Sequence, residues 1–384
     1  MSRRPDTSAS RIELPPLGPL SPRERREHVL AACRTLGFAH AGICVARSLD
    51  PEREDVLRDW LSDGRAGEMS YLTERVEAML DPSSVLEGAR FVICVADRYD
   101  CARDRVAADG RLRGRIARYA RGRDYHDVLR RRLKALAAAI QSGMPDEATR
   151  AVVDTAPLME REHAVRAGLG AIGKNTLLIR QGEGSWLLLG EVLTTLELEP
   201  DLPEIVAGRE DPIDPCGSCT RCIDACPTDA ITPFSVDASR CLSYTTIEQR
   251  GRIDRSLHQA TGDWLFGCDI CQEVCPHNQP TRRTKRLPVL EAYAPRRDGF
   301  DLLDVLNWTE EDRREAFVTS SMKRAKLEMM RRNAVICAGN ALATREAPEL
   351  LRRIQEIAGD TCESELLRGT ACDVLEDLGR PFSV

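Results

Sequence analysis

Between residues 21 and 200 the apolar positions follow two rhythms. Residues 23–36 repeat them at helical spacing and stop at Gly37, and residues 125–140 form a second amphipathic helix ending near Gly143 and Pro145. Residues 41–46 and 91–96 are short continuous apolar runs, the pattern of buried strands. Residues 151–153 and 186–189 are further strand candidates, with a helical stretch at 158–167 between them. The pattern predicts a mixed α/β domain.

Residues 199–215 carry four prolines and a run of acidic side chains, which marks a domain boundary. A cysteine-rich block follows, and the basic stretch 282–286 leads out of it. In the C-terminal part Arg332-Asn333-Ala334-Val335 and Arg368-Gly369-Thr370-Ala371 open similar small-residue segments 36 residues apart, a spacing that suits a helical-hairpin repeat of the HEAT type. Two units cannot bury their own faces, so they should dock on the rest of the protein; a plain helical tail covering the core is the alternative. The expected division is a tail at 1–20, a catalytic α/β domain at 21–205, a ferredoxin-like domain at 206–290 and a helical HEAT-like domain at 291–384.

The 384 residues are 42% apolar and 30% charged, with only 4% aromatics, so a globular core must rest on Leu, Val, Ile and Ala. No apolar run approaches the roughly 20 residues needed to span a bilayer. Arg3 and Arg4 suggest an export signal, but no apolar region follows before Pro15 and Pro16. The expectation is a cytoplasmic protein without a membrane partner. A net charge of −6 excludes a uniformly basic nucleic-acid binder, although a basic face can coexist with an acidic total. Fifteen cysteines in a long chain of this kind fit thiolate ligands better than disulfides.

The run Cys216-Gly-Ser-Cys219-Thr-Arg-Cys222-Ile-Asp-Ala-Cys226-Pro227 is the bacterial ferredoxin pattern, in which three thiolates grip one cubane and the fourth reaches another. The second run, Cys268-Asp-Ile-Cys271-Gln-Glu-Val-Cys275-Pro276, has the same ending but one cysteine fewer, and Cys241 between them can supply the missing ligand. Exchanging the last cysteines assigns Cys216, Cys219, Cys222 and Cys275 to one [4Fe-4S] cluster, and Cys226, Cys241, Cys268 and Cys271 to the other. Zinc sites hold separated cysteine pairs or histidines, which this is not. Cys33, Cys44, Cys94, Cys101, Cys337, Cys362 and Cys372 read as small apolar residues. Cubane pairs carry single electrons, and the long α/β segment implies an enzyme with its own reaction centre.

Gly168-Leu-Gly170-Ala-Ile-Gly173 matches a dinucleotide-binding pattern, and Lys174 almost completes a phosphate loop. The glycines follow a helical segment and not a strand, and Asn175 stands where the loop needs Ser or Thr, so neither nucleotide reading fits. Asp154 directly follows a buried strand. Partial desolvation there should raise its pKa and let it hold a proton near neutrality, while an N-cap for the following helix is the competing role.

Arg118-Tyr-Ala-Arg-Gly-Arg-Asp-Tyr125-His126, the segment from Asp154 to Glu160, Arg166-Ala-Gly-Leu-Gly-Ala-Ile-Gly-Lys-Asn175 and the two cysteine runs around Cys241 together resemble the epoxyqueuosine reductases. The likeness covers residues 25–280 in unbroken order, with a HEAT-like tail that some members share. It implies a nitroreductase-like cobalamin-binding α/β domain, a ferredoxin-like two-[4Fe-4S] domain and C-terminal helical repeats, an α+β/α/β fold class overall. It further implies base-off cobalamin between the first two domains, electrons passing from clusters to cobalt, and reduction of epoxyqueuosine to queuosine at the wobble position of tRNA. By the same resemblance Asp154 is the proton donor, and Asp154, Leu178, Leu189, Ser243, Cys268 and Asp269 align with cobalamin contacts. Met79 and Ala117 stand where some members have an arginine and a cysteine near cobalamin.

The expected partners are the tRNA and an electron donor such as a flavodoxin or ferredoxin system, acting on a monomer. For tRNA, Arg111, Arg113, Arg115, Arg118, Arg121 and Arg123 cluster within 13 residues, Arg130-Arg131-Arg132 follow, and Arg250 aligns near expected contacts. Two rivals remain: a cobalamin-dependent reductive dehalogenase-like enzyme, which resembles exported proteins, and a ferredoxin-like electron carrier, which has no use for the α/β segment.

Overall fold

The computed structural model describes residues 12–100, 110–201, 214–279 and 289–380. Cys101, the arginine tail and the basic stretch 282–286 lie outside the described residues.

Helix α1 (Pro22–Thr35) starts on a capping box between Ser21 and Glu24 with a proline in its first turn. Strands β1 (His40–Val45) and β2 (Phe91–Arg98) pair antiparallel. A short strand β3 (Arg113–Ile116) leads to α2 (Tyr125–Gly143), and β4 (Thr149–Val152), α3 (Glu160–Arg166) and β5 (Leu187–Thr194) follow. The main sheet has the order β1-β2-β5-β4, and every pairing is antiparallel. The α+β half of the expected class therefore describes this domain, because no parallel crossover occurs in its main sheet.

Alternation along the strands sends Ile43, Ile93, Val95 and Val192 to the face covered by α1 and α2, where they meet Val29, Leu129, Leu133 and Leu136. Cys44, Val92, Cys94, Ala96 and Leu193 point the other way, onto Ala164 and Ala167 at α3. Both faces are dry. That is why β2 is buried at all eight positions and reads in sequence as one apolar run.

The second sheet joins distant parts of the chain. Strand β6 (Trp264–Phe266) from the cysteine-rich region pairs parallel with β3, and β7 (Gly299–Asp301) pairs antiparallel on its other side. Helices α4 (Leu327–Leu342), α5 (Pro348–Gly359) and α6 (Glu365–Asp377) close the chain. The two repeated segments fall in α4 and α6, which touch so closely that a Cβ at Gly339 would come within 2.5 Å of Val374.

As two repeat units require, these helices dock on the rest of the molecule. Arg332, fully buried, donates to the carbonyls of Thr245, Gln249 and Gly251, and Asn333 donates to those of Thr246 and Leu265. These bonds occupy backbone acceptors that burial would otherwise leave unpaired. No helix among the described residues is long and apolar enough to cross a membrane.

Candidate active site and cluster centres

Asp154 sits where edge strand β4 breaks into a turn, with a left-handed φ of 47° that costs a non-glycine residue energy and needs local support. That support comes from Glu160 at the start of α3, whose Oε1 accepts the Asp154 N–H at 2.6 Å. The Asp154 Oδ2 lies 3.0 Å from His126 Nε2, and His126 Nδ1 lies 2.8 Å from Asp124 Oδ1. Both ring nitrogens thus face carboxylates, an arrangement only the doubly protonated imidazolium satisfies in full. The ring stacks on Tyr125 at 4.0 Å between centroids.

The electrostatics follow from this geometry. Burial alone would pull His126 down, but hydrogen bonds and charge from Asp124 and Asp154 push it up to about 9. Burial pushes Asp154 up, but the His126 bond and charge, aided by Arg324, outweigh it and hold the carboxyl below its ordinary value. The expectation that Asp154 itself stores a proton near neutrality is therefore corrected. The charge of the pair favours the proton on the His126 ring over the Asp154 carboxyl, the two being joined by one hydrogen bond. The N-cap role is also excluded, since the N-cap of α3 is Met159.

Behind Asp154 lies a second acidic layer. Burial, with Glu191 and then Asp154 nearby, raises Glu160 to about 8. Glu191 is itself 1% exposed, and its Oε1 lies 3.0 Å from His163 Nδ1.

The mouth of the site draws on the C-terminal part. The Asp124 N–H donates to the Thr319 carbonyl at 2.7 Å, Lys323 Nζ lies 4.0 Å from Asp124 Oδ2, and Arg324 pairs with Glu248 at 3.0 Å within electrostatic reach of Asp154. Sequence reasoning assigned none of His126, Asp124, Glu160 or Arg324 a role. His126 had a local signal, standing two residues after a helix-capping aspartate. Arg324 had none.

Cys216, Cys219, Cys222 and Cys275 line one cavity, together with Asn175, Ile179, Arg221, Pro276 and His277. Cys226, Cys241, Cys268 and Cys271 form the neighbouring group, with Cys268 feeling the charge of Cys241 and Cys226, and Cys271 that of Cys268 and Cys241. Burial pushes the Cys268 thiol up to about 12, so an added cation is what would make thiolates favourable there. The last cysteine of the second run thus lines the cavity of the first run's opening three, while Cys226, Cys241, Cys268 and Cys271 lie within electrostatic reach of one another. Four-residue helices, Arg221–Asp224 and Ile270–Glu273, follow the opening cysteines of the two runs.

The block is pinned to the α+β domain by Asn278, which donates to Ser185 Oγ and accepts from the Ser185 N–H at 2.7 Å. A Cβ at Gly184 would collide with that amide at 1.9 Å, which explains the glycine.

Residues expected to touch cobalamin fall into two groups. Leu178 and Leu189 share one apolar cluster on the α3 side of the sheet. Ser243, Cys268 and Asp269 lie around Gly267, whose N–H donates to Thr246 Oγ1. Asp269, 1% exposed, accepts from the Arg118 N–H at 2.7 Å, and burial raises it to about 6. Ala117 packs onto Gly267, where a Cβ would come within 2.5 Å. Tyr119 lies beside Gly267 and feels the charge of both Asp154 and Asp269. Met79 closes a turn by donating its N–H to the Arg75 carbonyl.

Several arginines of the basic stretch pair within the chain. Arg121 is 3% exposed and donates its Nε–H to the Ile116 carbonyl. Arg111 pairs with Asp301 and Asp304, Arg115 with Asp263, Arg118 with Asp100 and Glu273, and Arg132 with Asp97. These cations are turned toward acidic partners along the chain's own folds. Arg123 is half-buried, and Arg250 is exposed, its N–H donating to Glu68.

Comparison with known proteins accords with this layout. A family described as 4Fe-4S double cluster binding domain matches residues 215–278, and one described as epoxyqueuosine reductase QueG, DUF1730, matches residues 80–155. The epoxyqueuosine reductase of Gloeobacter violaceus is 41% identical over 80% of this chain and 93% of its own, and that of Pseudomonas aeruginosa is 35% identical over 88% and 91%. A crystal structure of an epoxyqueuosine reductase with an epoxyqueuosine-modified tRNA-Tyr stem loop superposes with a TM-score of 0.80 at 28% identity, covering 93% of this chain and 90% of that one. The Bacillus subtilis epoxyqueuosine reductase, in a form with its catalytic aspartate loop swung out of the active site, gives a TM-score of 0.78 at 27% identity over 92% and 90%.

Fold and cysteine module together define an iron–sulfur oxidoreductase with a double [4Fe-4S] domain. The chain belongs to the epoxyqueuosine reductase family.

Proposed function

We propose that this enzyme reduces epoxyqueuosine to queuosine at the wobble position of tRNA, with the His126–Asp154 pair as its proton source. Removal of the epoxide oxygen takes two electrons and two protons and releases water. The 3.0 Å contact between His126 and Asp154 at the mouth of the site carries the reading, because an oxygen leaving from carbon needs a proton at hand. The His126 proton passes through Asp154 to the departing oxygen, Asp124 orients the ring through its other nitrogen, and reprotonation of His126 from solvent supplies the second proton that completes water.

The two sets of four cysteines hold the [4Fe-4S] clusters, as the double-cluster match supports. Leu178, Leu189, Ser243, Cys268 and Asp269 would hold cobalamin. Its fit is supported by the apolar pair on one side and, on the other, by a buried carboxyl beside a small-residue surface at Ala117 and Gly267. When bound, cobalamin supplies the low-potential electrons for breaking the carbon–oxygen bond.

The relative solved with a modified tRNA stem loop supports tRNA as the partner. A flavodoxin or ferredoxin system would deliver electrons to a cytoplasmic monomer. Mass analysis of tRNA nucleosides from cells with and without the gene tests the reading: epoxyqueuosine should accumulate in its absence. An unchanged queuosine level would reject it. Reconstitution with cobalamin separates an electron carrier, which would show cluster absorption bands only.

A further inference from the structure

The glycine-rich turn that resembles a nucleotide loop has a different use. Gly170 and Gly173 lie in a tight hairpin, where a Cβ at either would come within 2.5 Å of Ile179. The hairpin drives Lys174 and Asn175 out of the α+β domain and into the cluster block. The Lys174 N–H donates to Cys216 Sγ at 3.4 Å, and its ammonium donates to the carbonyls of Gly217 and Cys219 at 2.6 and 3.2 Å, inside the first ligand loop.

Asn175 is 4% exposed and lines the cavity formed by Cys216, Cys219, Cys222 and Cys275. Its Oδ1 accepts the Leu177 N–H, while its Nδ2 is buried with no hydrogen-bond partner. A buried donor left unpaired is unfavourable, and a cluster sulfur is the acceptor this cavity would bring to it.

We propose that Lys174 and Asn175 are positioning residues that raise the reduction potential of the cluster held by Cys216, Cys219, Cys222 and Cys275. The inference rests on that ligand assignment. Reduction adds negative charge to a cubane, and N–H groups and cations beside its sulfurs favour the added charge. Among the described residues this turn makes no such contact to the neighbouring set of cysteines, so the turn tunes one cluster.

The test is an EPR-monitored redox titration of reconstituted holoenzyme, with iron and sulfide analysis, for wild type, Lys174→Met, Lys174→Arg and Asn175→Ser. Lys174→Met should keep its iron and lower the potential of one cluster only, cutting its reduced-to-oxidised ratio at fixed solution potential about tenfold, or about 59 mV for one electron. Lys174→Arg should recover most of that loss, and Asn175→Ser should shift the same cluster in the same direction. Full iron with both potentials unchanged overturns the proposal. So does the loss of one cubane in both Lys174→Met and Asn175→Ser, which would make the pair structural. A wild-type enzyme with fewer than two cubanes would instead sink the ligand assignment beneath it.

Discussion

Replacing His126 with Gln keeps a hydrogen bond to Asp154 but removes the group that holds the proton. The rise of His126 from 6.5 to about 9 corresponds to roughly 3 kcal/mol at most. Asp154 is 43% exposed, and solvent screening there reduces this to about 1–2 kcal/mol. Because the folded pKa is raised, this stabilisation is fully present below pH 6.5 and lost as pH climbs through about 9.

The same store sets the rate. At pH 7 the pair in the wild type carries its proton. Without His126, an ordinary carboxyl would be protonated in about one molecule in a thousand at that pH. Burial of Asp154 and the greater strength of a free carboxylic acid offset part of that deficit, leaving an expected loss of about 10- to 100-fold.

Single-turnover conversion of epoxyqueuosine tRNA by chemically reduced enzyme, followed from pH 6 to 10, isolates the step from electron delivery. The wild-type rate should fall above about pH 9. The His126→Gln rate should rise continuously toward acid. A variant within about threefold of wild type at pH 7, with the alkaline limb intact, would refute the shared-proton mechanism.

Asp154→Asn should be the more severe lesion, slowing conversion at least about a hundredfold while cluster content, cobalamin binding and tRNA binding persist; loss of bound cobalamin would make Asp154 a structural residue. Cys241→Ala should lower iron content although Cys241 belongs to neither run, and a variant retaining both cubanes would break the ligand assignment. Arg332→Met leaves the buried carbonyl of Thr245 without its donor and removes the part-buried bonds to Gln249 and Gly251. At about 1–3 kcal/mol for the one unsatisfied buried group, denaturant titration should show a loss of about that size, and limited proteolysis should release the C-terminal helices first; wild-type stability would show the docking rests on apolar contact alone.

The double-cluster domain was legible because thiolates that grip one cubane must lie within a few residues of one another, so spacing alone carries the chemistry. Strand β2 was legible for a similar reason, since burial on both faces leaves a continuous apolar run from Phe91. The docking of the C-terminal helices followed from their number. The direction of Asp154's pKa was not legible, because the deciding partner lies 28 residues earlier, on a helix whose placement no local pattern specifies.

Charge patterning hid the partners of the arginines for a related reason. The arginines of residues 111–123 look alike in sequence, yet Arg121 turns inward to a carbonyl and Arg115 and Arg118 reach acids about 150 residues away. The Gly168–Lys174 pattern could be rejected as a nucleotide loop from its context, but its use could not be found until the hairpin met Cys216. By itself, then, the sequence determined the inventory of clusters, the buried strands and the family, all of which rest on contacts between near neighbours or on ordered motifs. Which ring faces Asp154, which cations are paired inside and which backbone meets Cys216 were decided by the tertiary structure alone, because electrostatic energies depend on distance in space and not on distance along the chain.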